Sequence, residues 1–156
     1  MLTRRTLLVG AAALPVAALG TTSAVAAEPP VYATNGVAIN GYDPVAYFTE
    51  NMPVKGKPEF STDWNNATWY FSSAENKSMF DANPEKYAPQ YGGFCAVGMS
   101  RGYAVSTEPD AWYIEDGKLD LNHNLAVRKT WLKDIPGYIE KANPVWAEKL
   151  ETQVFE

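Results

Sequence analysis

The sequence predicts an α+β fold in one small domain, and three observations carry that expectation. Short runs rich in aromatic and β-branched residues flank the turn dipeptides Asn65-Asn66 and Asp116-Gly117, the pattern of antiparallel hairpins. Helix-opening signatures fall outside those runs, at Asp43-Pro44 and at Ser72 followed three residues later by Glu75. From Ala126 onward the chain reads as helix, so strands and helices do not alternate as they would in a parallel βαβ sheet. At 156 residues, 46% hydrophobic and 13% aromatic, the composition supplies one packed core and argues against a disordered chain.

Residues 1–27 stand apart from the rest. Arg4-Arg5 precede an apolar run from Leu7 to Leu19 and then small residues up to Ala27, the layout of a cleaved export signal of the twin-arginine type. The run is shorter than the roughly 20 apolar residues of a membrane span, so no stable membrane insertion is expected after cleavage. Residues 28–36, with Pro29-Pro30, read as an extended leader, and every aromatic residue lies at Tyr32 or beyond it.

Across residues 37–150 the elements follow in order. Val37–Ile39 is a brief strand closed by Asn40-Gly41. Asp43 caps a short helix with Pro44 in its first turn, and 51–59, carrying Pro53, Gly56 and Pro58, reads as loop. Phe60–Trp64 and Thr68–Phe71 form a hairpin. The Ser72 and Glu75 capping box opens a helix over about 74–83, with Met79 and Phe80 inward and Pro84 limiting its end. Pro84–Tyr87 makes one more helical turn. Gly92-Gly93 permits close backbone approach or positive φ ahead of helical turns at Phe94–Met99. Tyr103–Val105 and Trp112–Glu115 read as strands, with Lys118–Leu121 returning after Asp116-Gly117. Two helices close the domain, Ala126–Leu132 and Tyr138–Leu150, separated by Pro136-Gly137 and anchored by Trp131, Ile139 and Trp146, and 151–156 is a tail.

Charge excludes one large class of partner. Without Arg4 and Arg5 the chain carries 11 Lys+Arg against 18 Asp+Glu, a formal charge of −7, with no basic cluster denser than Arg128-Lys129. Nucleic acid needs a cationic face that this chain lacks.

Four stretches together resemble a YHS-domain protein of the exported bacterial type: Gly41-Tyr42-Asp43-Pro44-Val45-Ala46-Tyr47-Phe48, Trp69-Tyr70-Phe71-Ser72-Ser73, Phe80-Asp81-Ala82-Asn83-Pro84-Glu85-Lys86-Tyr87 and Tyr91-Gly92-Gly93-Phe94-Cys95. The resemblance implies a treble-clef-like core extended by carboxyl-terminal helices, and a periplasmic or secreted location. In the wider family an Asp-Pro-Val-Cys start and two further cysteines hold metal. Here those places are taken by Ala46, Ser72 and Asn76, which are poor partners for the soft metals that thiolates select. Relatives of this exported type are often labelled possible selenoproteins, which implies a chemical rather than a packing role where Cys95 stands.

Cys95 is the sole cysteine, so it forms no internal disulfide and is buried, bound, modified or paired with another chain. A thiolate at a helix start is favoured by the free N–H groups there, which would suit redox defence, although without a resolving cysteine oxidation stops at sulfenic acid or needs an outside thiol. Met99, one helical turn on, and the sole histidine, His123, complete a thiolate, thioether and imidazole set suited to a copper ion. The sequence thus leads to an exported monomer that binds a soft metal or uses the Cys95 thiol. The competing expectation is a metal-free, non-catalytic binding module whose surplus of Tyr and Trp lines a surface for a small ligand or a periplasmic partner protein. A hydrolase triad, a phosphate-binding glycine loop and a dinucleotide fingerprint find no support, and the enzyme question stays open.

Overall fold

The computed structural model describes residues 30–155, so the expected export segment 1–27 lies outside the described residues. Among the described residues the architecture is α+β, with six α-helices and two small sheets. No described helix is long and apolar enough to cross a membrane.

The first sheet has the order β1-β2-β4-β3. β1 (Ala33–Thr34) and β2 (Val37–Ala38) make a tight hairpin through Asn35 and Gly36, at φ +53° and +80°, so part of the expected leader is a strand. β2 runs parallel to β4 (Ala67–Phe71), which pairs antiparallel with β3 (Lys57–Trp64) around Asn65-Asn66. β3 starts at Lys57, inside the stretch expected to be loop, because an irregular register between Lys57 and Ser61 lets Lys57 pair again with Phe71.

β4 places Ala67, Trp69 and Phe71 inward, and α2 (Ala74–Ala82) lays Phe80 over them. The Phe80 ring centroid is 5.3 Å from that of Trp69, 5.1 Å from Phe71 and 5.6 Å from Trp64, offset and edge-on contacts that aromatic rings prefer. The hairpin running into a helix is the core that the sequence predicts, but the cap is one residue late. Ser73 Oγ accepts the Asn76 N–H at 3.1 Å, whereas the Ser72 hydroxyl donates to Asp43 and is not available to open the helix. α1 (Ala46–Thr49) precedes this sheet, and α3 (Pro84–Tyr87) follows α2 with Asn83 as its cap.

A 3₁₀ turn over Gln90–Gly93 leads to α4 (Ala96–Met99). The expected strand at Tyr103–Val105 is irregular chain, since its backbone bonds go to α4 rather than to a sheet: Cys95 N–H donates to Val105 O and Tyr103 N–H to Gly98 O, both at 3.0 Å. β5 (Trp112–Glu115) and β6 (Lys118–Leu121) form a separate hairpin. α5 (Leu125–Trp131) is capped by Asn124 and α6 (Ile135–Thr152) by Asp134. Pro136 sits in the first turn of α6, where its missing N–H costs nothing, so Pro136-Gly137 opens the last helix instead of preceding it. α6 also runs to Thr152, beyond the expected end at 150.

The core has two parts. One joins the first sheet, α2 and α3, while the other gathers Cys95, Val97, Met99, Trp131 and Ala142 under α6. The β5–β6 hairpin serves both. Trp112, Ile114, Leu119 and Leu121 join the first cluster, and Tyr113, paired with Asp120, joins the second from the opposite face.

Candidate functional site

Asp43 is fully buried and saturated with donors. Its Oδ1 accepts the N–H groups of Val45 at 2.8 Å and Ala46 at 3.3 Å. Its Oδ2 accepts the Ser72 N–H at 2.8 Å, the Ser72 hydroxyl at 2.7 Å and the Asn76 amide at 2.7 Å. One carboxylate thus ties the start of α1 to the end of β4 and the first turn of α2. Ser72 and Asn76, at two positions where the resemblance would put metal-binding cysteines, aim donors rather than lone pairs at the centre, and Ala46 offers no ligand atom. These residues do not fit a soft metal ion.

Cys95 is 2% exposed and caps α4, its Sγ accepting the Gly98 N–H at 3.3 Å. The thiol lies 3.9 Å from Asn122 Oδ1, which also takes the Val97 N–H at 3.4 Å. Met99, fully buried, shares its apolar cluster. His123 does not join them there. It is exposed, with Nδ1 at 3.1 Å from the Ser106 carbonyl and 3.3 Å from the Ser106 hydroxyl. Among the described residues no group of three His, Cys, Asp or Glu side chains is arranged to hold a metal ion.

Gly92 and Gly93, which precede Cys95, have a different task from presenting its sulfur. They lie at φ +61° and +84°, and a Cβ on Gly92 would stand 2.1 Å from Pro30 O while one on Gly93 would stand 2.6 Å from Ile39 Cγ2. The glycine pair lets residues 30–32 cross over it, held by the Tyr32 N–H to Gly92 O bond at 2.9 Å.

That crossing segment builds one wall of a cleft of about 190 Å³ whose other walls are Trp64, Trp69, Tyr91 and Trp146, with Glu85 and Gln90 among the polar lining groups. Tyr91 and Trp146 meet edge-on, centroids 6.3 Å apart. The Tyr91 hydroxyl donates to Asn143 Oδ1 at 3.0 Å, and burial, reinforced by the Asp120 charge, pushes its ionisation well above the ordinary tyrosine range.

Across Gln90 and Tyr91 lies a second cavity of about 170 Å³, lined also by Glu115, Lys118, Asp120 and Asn143. Asp120 is 2% exposed and its Oδ1 has no hydrogen-bond partner among the described residues. Burial pushes its carboxyl up to about 7, with nearby Lys118 opposing and Glu115 adding to the rise. Sequence reasoning misses Asp120. The available signal is its alternation with Leu119 and Leu121, which places it on the other face of the hairpin, but only the fold shows that face covered.

Against known families, one comparison is informative. Residues 45–91 match the YHS domain model. The YHS match spans α1, the β3–β4 hairpin, α2 and α3, and ends at Tyr91, so it contains Ser72, Asn76 and most of the aromatic cleft. Asp43, Cys95, Met99, Asp120 and His123 lie outside the YHS match. No curated protein and no solved structure matches the chain.

Proposed function

We propose that this YHS-domain chain is an exported, non-catalytic binding module that holds a small aromatic or apolar ligand between Trp64, Trp69, Tyr91 and Trp146. The observation that carries this reading is the convergence of those four rings on one cleft with Glu85 and Gln90 beside them. The half-buried Trp64 and Trp146 offer ring surface to the cleft, the buried Trp69 and Tyr91 back it, and the few polar groups orient what enters. Export rests on Arg4-Arg5 ahead of the apolar run at Leu7 to Leu19. The test is a two-dimensional amide NMR titration with indole. Indole is expected to shift amides at Asn65 and Gln90–Gly92, an effect abolished in Trp146→Ala and retained in Cys95→Ser. Shifts elsewhere, or none, overturn the reading.

A second reading keeps Cys95 as a redox thiol or a copper ligand with Met99, and with His123 brought in. It is favoured by the sulfur standing at the cap of α4 within the same cluster as Met99. Elemental analysis after copper loading and desalting checks it: stoichiometric copper lost in Cys95→Ser supports metal binding. Peroxide-dependent sulfenic acid at Cys95, without copper, supports the redox form. Neither signal leaves Cys95 as a core residue.

A further inference from the structure

We propose that the cavity between β5–β6 and α6 is a binding site for a small organic ammonium ion, whose N–H groups donate to the orphan Asp120 carboxylate. The site goes beyond the aromatic cleft, with which it shares only the Gln90–Tyr91 wall.

A buried polar atom without a partner costs free energy, and a buried carboxylate costs more than any neutral group. Asp120 Oδ1 is in that position, and the Asp120 side chain is part of the cavity wall. The surrounding elements do not neutralise it. From β5 and the turn come Glu115 and Asp116, both acidic, and from its own strand comes Lys118, which makes no ion pair with it within 4.0 Å among the described residues. The 3₁₀ turn contributes Tyr91, whose hydroxyl proton is committed to Asn143, and α6 contributes the uncharged Ile139 and Asn143. The donors that line the cavity, the Lys118 ammonium and the Gln90 and Asn143 amides, make no hydrogen bond to Asp120 Oδ1 among the described residues.

Size and chemistry then narrow the occupant. A space of about 170 Å³ holds the equivalent of five or six waters at about 30 Å³ each, the bulk of a four-carbon amine. Ile139 offers an apolar contact for the alkyl part. The absence of a three-donor acidic or imidazole group among the described residues argues for an N–H donor over a chelated metal. Because burial holds the Asp120 carboxyl near 7, an ammonium ion must displace its proton below that pH and meets a carboxylate above it.

The experiment is isothermal titration of the whole protein with n-butylammonium chloride, using n-butanol as the uncharged control and calcium and magnesium chlorides as metal probes. Saturable one-to-one binding of the amine is expected at pH 8, weakened about tenfold at pH 6 as Asp120 takes up its proton. Asp120→Asn is expected to abolish binding while keeping the wild-type circular dichroism. Trp146→Ala, which removes a side chain that lines the neighbouring cleft and not this cavity, is expected to bind the amine as wild type does, so this site and the aromatic cleft stand or fall separately. Absence of saturable amine binding by the wild type, equal binding by Asp120→Asn, or equal binding of n-butanol overturns the proposal. Asp120-dependent binding of calcium or magnesium without the amine overturns the ammonium assignment.

Discussion

Asp43→Ala is expected to cost about 4 kcal/mol of folding stability, since it orphans buried donors that a single carboxylate now satisfies. Five donations converge on its two oxygens, two from the start of α1 and three from Ser72 and Asn76. Each donor left inside without a partner carries a penalty of roughly 1–3 kcal/mol, part of it relieved by local rearrangement. Water does not reach the site freely, because Asp43 is fully buried. For a domain of this size the loss corresponds to a fall in Tm of about 15 °C. Asp43→Asn should lose less, because one oxygen can still serve the α1 N–H groups while the new amide opposes the Ser72 and Asn76 donors. Thermal and urea unfolding of both variants checks the order. A loss below about 1 kcal/mol for Asp43→Ala would show that the network is not a structural tie.

Asp120→Asn is expected to act in the opposite direction above neutral pH. In the unfolded chain this carboxyl loses its proton near its ordinary value of 3.8, whereas in the folded protein it keeps it up to about 7. Between those values the folded state binds more protons than the unfolded one, so stability contributed by the neutral acid is complete below 3.8 and declines as pH rises toward 7. At about 1.4 kcal/mol per unit the full swing is somewhat above 4 kcal/mol. An asparagine carries no charge to bury, so Asp120→Asn should flatten this part of the pH profile and exceed wild type in stability at pH 8. Urea midpoints measured from pH 4 to pH 8 decide it. Parallel profiles for the two proteins would mean that Asp120 ionises as a solvated group does.

Local signals located most elements. Asn65-Asn66 and Asp116-Gly117 take the positive φ values that their turns demand, and Phe80 is buried as the helical pattern requires. The failures have identifiable physical causes. Asn35-Gly36 is itself a hairpin signal, hidden because its strands are only two residues long and β2 is secured by pairing with distant Thr68. Ser72 fits a capping box locally, but its hydroxyl is drawn to Asp43, a residue 29 positions away. Pro136 resembles an interruption until Asp134 is seen to cap the helix around it.

The site was less legible than the fold for the same reason. Cys95 stands out by composition, and its place at the start of a short helix agrees with the helical turns expected at Phe94–Met99. The shared cluster with Met99, the separate position of His123 and the cover over Asp120 depend on how α6 closes on the hairpin, which no local spacing encodes. The aromatic surplus was visible as a count, but the cleft draws Trp64, Trp69, Tyr91 and Trp146 from three separate elements and one turn.

The seat of Pro30 against Gly92 bears on how the protein should be handled. Pro30 and Val31 border the aromatic cleft, and the chain passes Gly92 too closely for any side chain there. A purification handle fused directly ahead of Pro30 would lie beside that cleft and compete with small molecules for it.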